Sequence, residues 1–288
     1  MGRGNTKVDA DAPVIRSFGE QWQQFRHSDQ ANDADLRASF EAYFSIFPWR
    51  ELPAQAVGAD VGCGTGRWAR HVAPRVHRLL CFDPSEAIEV ARASLAPFAN
   101  VECRSARADA LPIDDSSLDF AYCLGVLHHV DNTAGALRSI AAKLKPGAPL
   151  LLYLYYQLEN RPVWYSTLWR MTTPARLVIS KLPFWLRHPA SQIIAAFVYY
   201  PLARGAWMGE KMGLDVTPWP LAIYRNLRFY NMRTDALDRF GTRVEKRFTR
   251  DEIASMMSSA GLSRIEFSAT PPYWCAVGRR NPSIETGR

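Results

Sequence analysis

Three glycines fall within five positions, at Gly62, Gly64 and Gly66, after a short apolar segment and ahead of helix-forming residues. Glycine lets a backbone take left-handed angles and come close to a ligand. A helix that opens directly after such a turn aims its unpaired N–H groups at the same ligand. Asp60 precedes the turn and Cys63 lies inside it. The spacing reads G-x-G-x-G with Arg67 following, which departs from the dinucleotide fingerprint G-x-G-x-x-G. Further on, Asp83 closes the apolar run Leu79–Phe82 and is followed by Pro84 and Ser85. A carboxylate there can accept hydrogen bonds from both hydroxyls of a ribose. Asp109 and Ala110 lie in a polar turn, and Leu124 ends a third apolar run that exits into His128 and His129. Histidine titrates near neutrality, so either one could take a proton from an acceptor group.

These residues need a scaffold that carries them to one edge. The pattern predicts strands at 56–61, 78–82, 100–104, 118–123 and 149–155, with helices at 67–73, 85–95 and 133–144. Strands that alternate with helices imply parallel pairing with right-handed crossovers. The alternation stops after residue 156 and resumes near Thr249. There Thr249 and Glu252 form a capping box, Ile253, Met256 and Met257 supply an apolar face, and Gly261 caps the end. Leu262–Ala269 and Trp274–Gly278 read as two last strands.

Taken in order, these segments resemble the motifs of class I S-adenosylmethionine (SAM)-dependent methyltransferases. Asp60–Gly66 resembles motif I, Asp83 the ribose-holding acid, and Arg107–Pro112 the acidic turn beside the adenine. Asp119-Phe120 through Leu124-Gly125-Val126-Leu127-His128-His129 resembles the segment leaving the fourth strand, and Lys145-Pro146-Gly147 the turn before the fifth. The resemblance covers residues 56–156 and 249–279. It implies a doubly wound, seven-stranded, mostly parallel α/β sheet whose seventh strand is inserted antiparallel. It implies SAM as cofactor and S-adenosyl-L-homocysteine as product. The implied cofactor contacts are Asp60, Gly62, Cys63, Gly64, Gly66, Asp83, Pro84, Asp109, Ala110 and Leu124. His128 and His129 would lie near the reactive methyl, either as a general base or as a pair that holds the loop. The base differs among members of the family, so both readings stay open.

Four segments follow from this division. Residues 1–50 form a leader and a helical arm, 51–156 the cofactor-binding core, 157–244 a helical insertion between strands 5 and 6, and 245–288 the end of the core. In the arm, Phe18, Trp22 and Phe25 share one helical face, followed by Phe40, Tyr43, Phe44 and Phe47. These aromatics either pack onto the core or close over the ligand as a lid. The insertion is rich in aromatics, and prolines 162, 174, 183, 189, 201, 218 and 220 are expected to cut it into short helices. It reads as a cap over the C-terminal edge of the sheet, where it would shape a partly apolar pocket for a small-molecule acceptor.

Composition narrows the function further. The 288 residues are 48% hydrophobic and 22% charged, with net charge +7, the profile of a globular chain. The start Met1–Asp11 is polar and the five cysteines form no C-x-x-C pair, which predicts a cytoplasmic protein with reduced thiols. No Cys/His cluster has metal-ligand spacing, so no metal is expected. The arginines between Arg225 and Arg250 are interrupted by acids and belong to no recognisable nucleic-acid module, so no nucleic acid is expected. The apolar run Ile193–Tyr200, flanked by Arg187 and Arg204, reads first as a buried helix that ends at Pro201 and second as a peripheral membrane contact. The expected activity is methyl transfer from SAM to oxygen, or else nitrogen, of a small acceptor. The competing reading is a non-catalytic SAM-binding module whose cap is a protein or membrane interface.

Overall fold

The computed structural model describes residues 33–241 and 246–282. The arm residues Phe18, Trp22 and Phe25 lie outside that range. The described chain forms two compact units, residues 33–156 with 246–282 and residues 157–241.

The first unit opens with α1 (Asp33–Tyr43), followed by β1 (Val57–Val61), α2 (Ala69–Val72), β2 (Arg78–Phe82), α3 (Ala87–Leu95) and β3 (Val101–Arg104). It continues with β4 (Phe120–Leu124), α4 (Thr133–Lys143) and β5 (Pro149–Tyr153). The second unit is helical: α5 (Val163–Met171), α6 (Thr173–Ile179), α7 (Phe184–Ile194), α8 (Tyr200–Lys211) and α9 (Phe229–Gly241). The chain then returns to the first unit with α10 (Arg250–Ser259), β6 (Leu262–Phe267) and β7 (Cys275–Arg280).

The strands form one sheet in the order β3-β2-β1-β4-β5-β7-β6. β1 to β5 pair in parallel, and β7 runs antiparallel to both β5 and β6. This is the doubly wound architecture expected from the sequence. A parallel sheet covered on both faces needs strands that are apolar throughout, and β4 (FAYCL) is buried at every position. Alternate residues feed opposite layers. Ala59, Val61, Ala121 and Cys123 join the cluster packed with α4 and α10, while Leu79, Cys81, Phe120 and Tyr122 join the one packed with α1, α2 and α3. Gly58 is obligatory in β1, because a Cβ there would stand 2.0 Å from the Phe120 ring.

The described part of the arm packs onto the core. Phe40 and Phe44 are buried with ring centroids 4.4 Å apart, and Phe44 meets Tyr122 edge-on at 5.1 Å. At the other end, Thr249 Oγ1 accepts from Glu252 N–H at 3.1 Å while Glu252 Oε2 accepts from Thr249 N–H at 2.7 Å, closing the capping box.

The second unit has its own small core of Ala195, Tyr199, Ala203, Met232, Ala236 and Phe240. Pro162 and Pro183 do precede helices there. Pro189 and Pro201 do not break one, which corrects the expectation of short segments: Pro189 lies inside α7, and Ala195–Tyr199 carries the chain into α8 as a π-helical turn. Proline removes a backbone donor and clashes with the preceding turn, and a widened turn just ahead of it relieves both. The run Ile193–Tyr200 therefore continues through Pro201 as one helical rod ending at Lys211.

Candidate functional site

The glycine turn is built by backbone bonds to the neighbouring strand. Gly62 N–H and Cys63 N–H both donate to Phe82 O, at 2.7 and 3.0 Å, and Gly66 N–H closes on Cys63 O at 2.9 Å. Gly62 and Gly66 adopt φ of +78° and +81°, which L side chains rarely tolerate. Space forbids a side chain as well: a Cβ on Gly62 would stand 2.3 Å from Val126, and one on Gly66 2.7 Å from Leu95. Val126 follows β4, so the turn after β1 and the exit of β4 are fitted against each other.

Asp83 joins this turn to the end of β2. Gly64 N–H donates to Asp83 Oδ2 at 2.9 Å, while Ser85 donates to Oδ1 from its N–H at 2.9 Å and its hydroxyl at 2.6 Å. Burial raises the Asp83 pKa above the ordinary carboxylate value, and these donors from Ser85 and Gly64 oppose the rise. A carboxylate has about four acceptor sites. Three are taken here, which leaves one open on Oδ2. Ser85 was missed at the sequence level because its importance rests on a contact with its own neighbour, not on a spacing.

Asp60 lies behind the turn and is only 1% exposed. Loss of water pushes its carboxyl up to about 8, with the nearby Asp83 charge adding to the effect. The Tyr122 hydroxyl faces the carboxyl and works against that rise. Yet neither Asp60 Oδ2 nor the Tyr122 hydroxyl closes a hydrogen bond of normal geometry. Asp60 Oδ2 is thus a buried polar atom without a hydrogen-bond partner among the described residues, one residue ahead of the strand end that leads into the glycine turn.

Asp109 stands exposed after β3 with Ala110, and Arg107 holds both its oxygens at 3.0 and 3.2 Å. That pair keeps the Asp109 carboxyl below its ordinary value. The remaining candidates differ in burial: Cys63 and Leu124 are buried and Pro84 is half-buried.

The two histidines form a short 3-10 turn, Leu127–His129, after β4. Thr133 Oγ1 donates to Leu127 O at 2.9 Å and Val130 O at 3.2 Å, which ties that turn to the start of α4. His128 is fully buried, stacks on Tyr155 at 3.8 Å, and has no hydrogen-bond partner on either ring nitrogen among the described residues. Burial and the neighbouring His129 and Arg247 hold its pKa well below the ordinary value, so the ring stays neutral. His129 is 4% exposed, with its ring 4.1 Å from that of His128.

The segment Lys246–Phe248, part of the basic stretch up to Arg250, bonds back to the residues that follow β4 and β5. Lys246 N–H donates to His128 O at 3.0 Å, and its Nζ donates to the carbonyls of Val130 and Asp131. Phe248 N–H donates to Tyr155 O at 2.9 Å, and Arg247 to Tyr156 O at 3.0 Å. No local pattern marks Lys246, because its partners lie more than a hundred residues away.

The residues meet the demands of a nucleoside-bearing cation such as SAM: an open acceptor site on Asp83, an unsatisfied buried carboxyl at Asp60, and a turn that excludes side chains. Residues 59–152 match the family model of a methyltransferase domain. A Bacillus subtilis protein named uncharacterized methyltransferase YcgJ is 31% identical over 166 residues, covering 56% of this chain and 65% of its own. O-methyltransferase rstn1 of Aspergillus nomiae is 37% identical over 98 residues, covering 32% of this chain and 44% of its own. The chain thus spans less than two thirds of the length of these relatives. Among solved structures, a Bordetella parapertussis protein described as a possible exported protein superposes with TM-score 0.51 at 15% identity, over 85% of this chain and 68% of its own, a likeness of fold alone. With the glycine turn, the Asp83 junction and the 3-2-1-4-5-7-6 sheet all in one unit, this chain carries a class I SAM-dependent methyltransferase domain.

Proposed function

We propose that this protein transfers the methyl group of SAM to an oxygen of a small, partly apolar acceptor. The observation that carries the reading is the junction of Gly64 N–H with Asp83 Oδ2 at 2.9 Å, which joins the glycine turn to a carboxylate that still has an acceptor site open. When bound, SAM supplies an electrophilic methyl on a sulfonium. Asp83 would then hold a ribose hydroxyl, the turn Gly62–Gly66 would lie along the methionine portion, and Asp109 with Ala110 would border the adenine. Such transfer is an in-line displacement, so the protein has chiefly to align the acceptor and exclude water.

A proton must leave only if the acceptor is a hydroxyl or its like. His128 is unsuited to take it, because it is sealed under Tyr155 and kept neutral by burial. His128 holds the loop, and His129 is the candidate base. Oxygen as the acceptor atom is supported by a relative named as an O-methyltransferase.

Calorimetric titration of SAM and S-adenosyl-L-homocysteine into the wild type and Asp83→Ala tests the cofactor site. Micromolar binding that weakens at least tenfold in the variant is expected. Undiminished binding by Asp83→Ala would move the site elsewhere. Mass-spectrometric screening of small phenols, amines and total RNA as acceptors then tests the substrate class, with His129→Gln expected to lower kcat more than it changes KM. Methylation of RNA alone would overturn the small-molecule reading. Cofactor binding with no turnover on any acceptor would favour a binding module.

A further inference from the structure

The rod from Phe184 to Lys211 is built inside out. Its buried positions are mostly small or polar, Arg187, Ser191, Ala195, Ala203, Ala206 and Gly209, with Tyr199 as the large exception. Its outward positions carry the bulky ones: Trp185 is 71% exposed, Ile193 58%, Phe197 77% and Met208 59%. A helix on the surface of a water-soluble domain turns its large apolar residues inward. Small residues between helices with large apolar ones outward is the arrangement that suits a helix whose outer face meets lipid. Among the described residues, the large apolar side chains left exposed all lie between Val163 and Phe229.

Charge identifies what covers this face. Between Glu159 and Glu210 the chain has six basic residues, Arg161, Arg170, Arg176, Lys181, Arg187 and Arg204, and no acidic one. Arg187 is buried, and Glu210 at the end of the rod is paired with Arg225. Arg170, Lys181 and Lys211 are exposed. Lys211 Nζ lies 5.7 Å from the ring of the outward Trp207, so a cation stands beside the apolar face. Long basic side chains beside aromatics are placed to bury their stems and keep their charge at a headgroup. No helix among the described residues is long and apolar enough to cross a membrane, so contact stays at the surface.

We infer that the second unit docks on an anionic phospholipid surface through the outward face of the Phe184–Lys211 rod. This rests on nothing in the methyl-transfer reading and adds a membrane partner to it.

Flotation of the full chain with vesicles tests it. Vesicles of equimolar phosphatidylcholine and phosphatidylglycerol are expected to carry the protein at least ~5-fold better than phosphatidylcholine alone, the gain of about one surface cation. Added salt should reduce that preference. The double variant Trp185→Ser/Phe197→Ser should lose binding at least tenfold with unchanged circular dichroism. Lys181→Glu/Lys211→Glu leaves the apolar face intact and should lose the anionic preference, which keeps the test decisive should the first variant misfold. Failure to float with either vesicle, or flotation indifferent to lipid charge, overturns the proposal. So does a dimer on gel filtration that Trp185→Ser/Phe197→Ser converts to monomer, since a second copy would then cover the face.

Discussion

Ionising Asp60 is costly because the residue is buried and the Asp83 carboxylate adds to the penalty, while the Tyr122 hydroxyl and the Arg67 charge offset only part of it. Its folded pKa, about 8, lies above the ordinary 3.8, so the folded protein keeps a proton that the unfolded chain releases. Stability from this residue is full below the unfolded value and is lost as pH rises through about 8. Linkage sets the loss at up to ~6 kcal/mol. Asp60→Asn removes the titrating group with little change in shape. It should therefore flatten the decline of stability between pH 4 and 8 that is expected of the wild type. Denaturant midpoints across that range decide the matter: parallel declines in the two proteins would mean that other groups set the pH dependence. A cation bound near the turn reverses the balance, since it favours the charged carboxylate. Proton release on SAM binding, read by calorimetry in buffers of different ionisation enthalpy, would report that reversal.

At the scale of elements, the turn after β1 owes its shape to a partner in the β4 exit. Gly62→Ala would place a methyl against Val126 at a backbone angle that L residues avoid. The expected cost is about 2–4 kcal/mol from left-handed strain plus overpacking, checked by thermal unfolding. Val126→Ala in the same chain should recover the overpacking part, and no recovery would show that strain alone sets the cost. Such couplings explain what the sequence could and could not reveal. Gly62, Gly64, Gly66 and Asp83 were legible because a turn and a strand end impose local spacing. The β6–β7 reversal was legible only through the family likeness. Tyr122 under Asp60 and Tyr155 on His128 were not legible, because strand pairing and loop closure bring together residues with no shared local pattern. Pro201 was misleading for a related reason. The rule that proline ends a helix is local, and the π-helical turn at Ala195–Tyr199 satisfies it without ending the rod.

At the scale of the whole molecule, the insertion leaves and re-enters the first unit at one place. Phe248 N–H bonds Tyr155 O at 2.9 Å and Arg247 bonds Tyr156 O at 3.0 Å, so the ends of the methyltransferase domain are held together by its own bonds. The clusters that pack both faces of the sheet are drawn from that unit. The second unit has a separate and smaller core around Tyr199, Met232 and Phe240. Closing a short loop costs little beyond what the present junction already fixes, because loop entropy grows slowly with length. Replacing residues 157–245 with a short Gly-Ser linker is therefore expected to leave a folded domain. That domain should bind S-adenosyl-L-homocysteine within a few-fold of the full chain, because Gly64, Asp60 and Asp83 are all retained. The ligand should stabilise it as mass action requires, by ~2.7 kcal/mol at a hundredfold excess over Kd, and so raise its melting point. The same deletion should abolish vesicle binding, since the outward rod goes with it. An unfolded product would show that the sheet depends on the insertion for its core. A folded domain that no longer binds would assign cofactor contacts to residues 157–245, and the junction between Gly64 and Asp83 would then be insufficient to hold the ligand by itself.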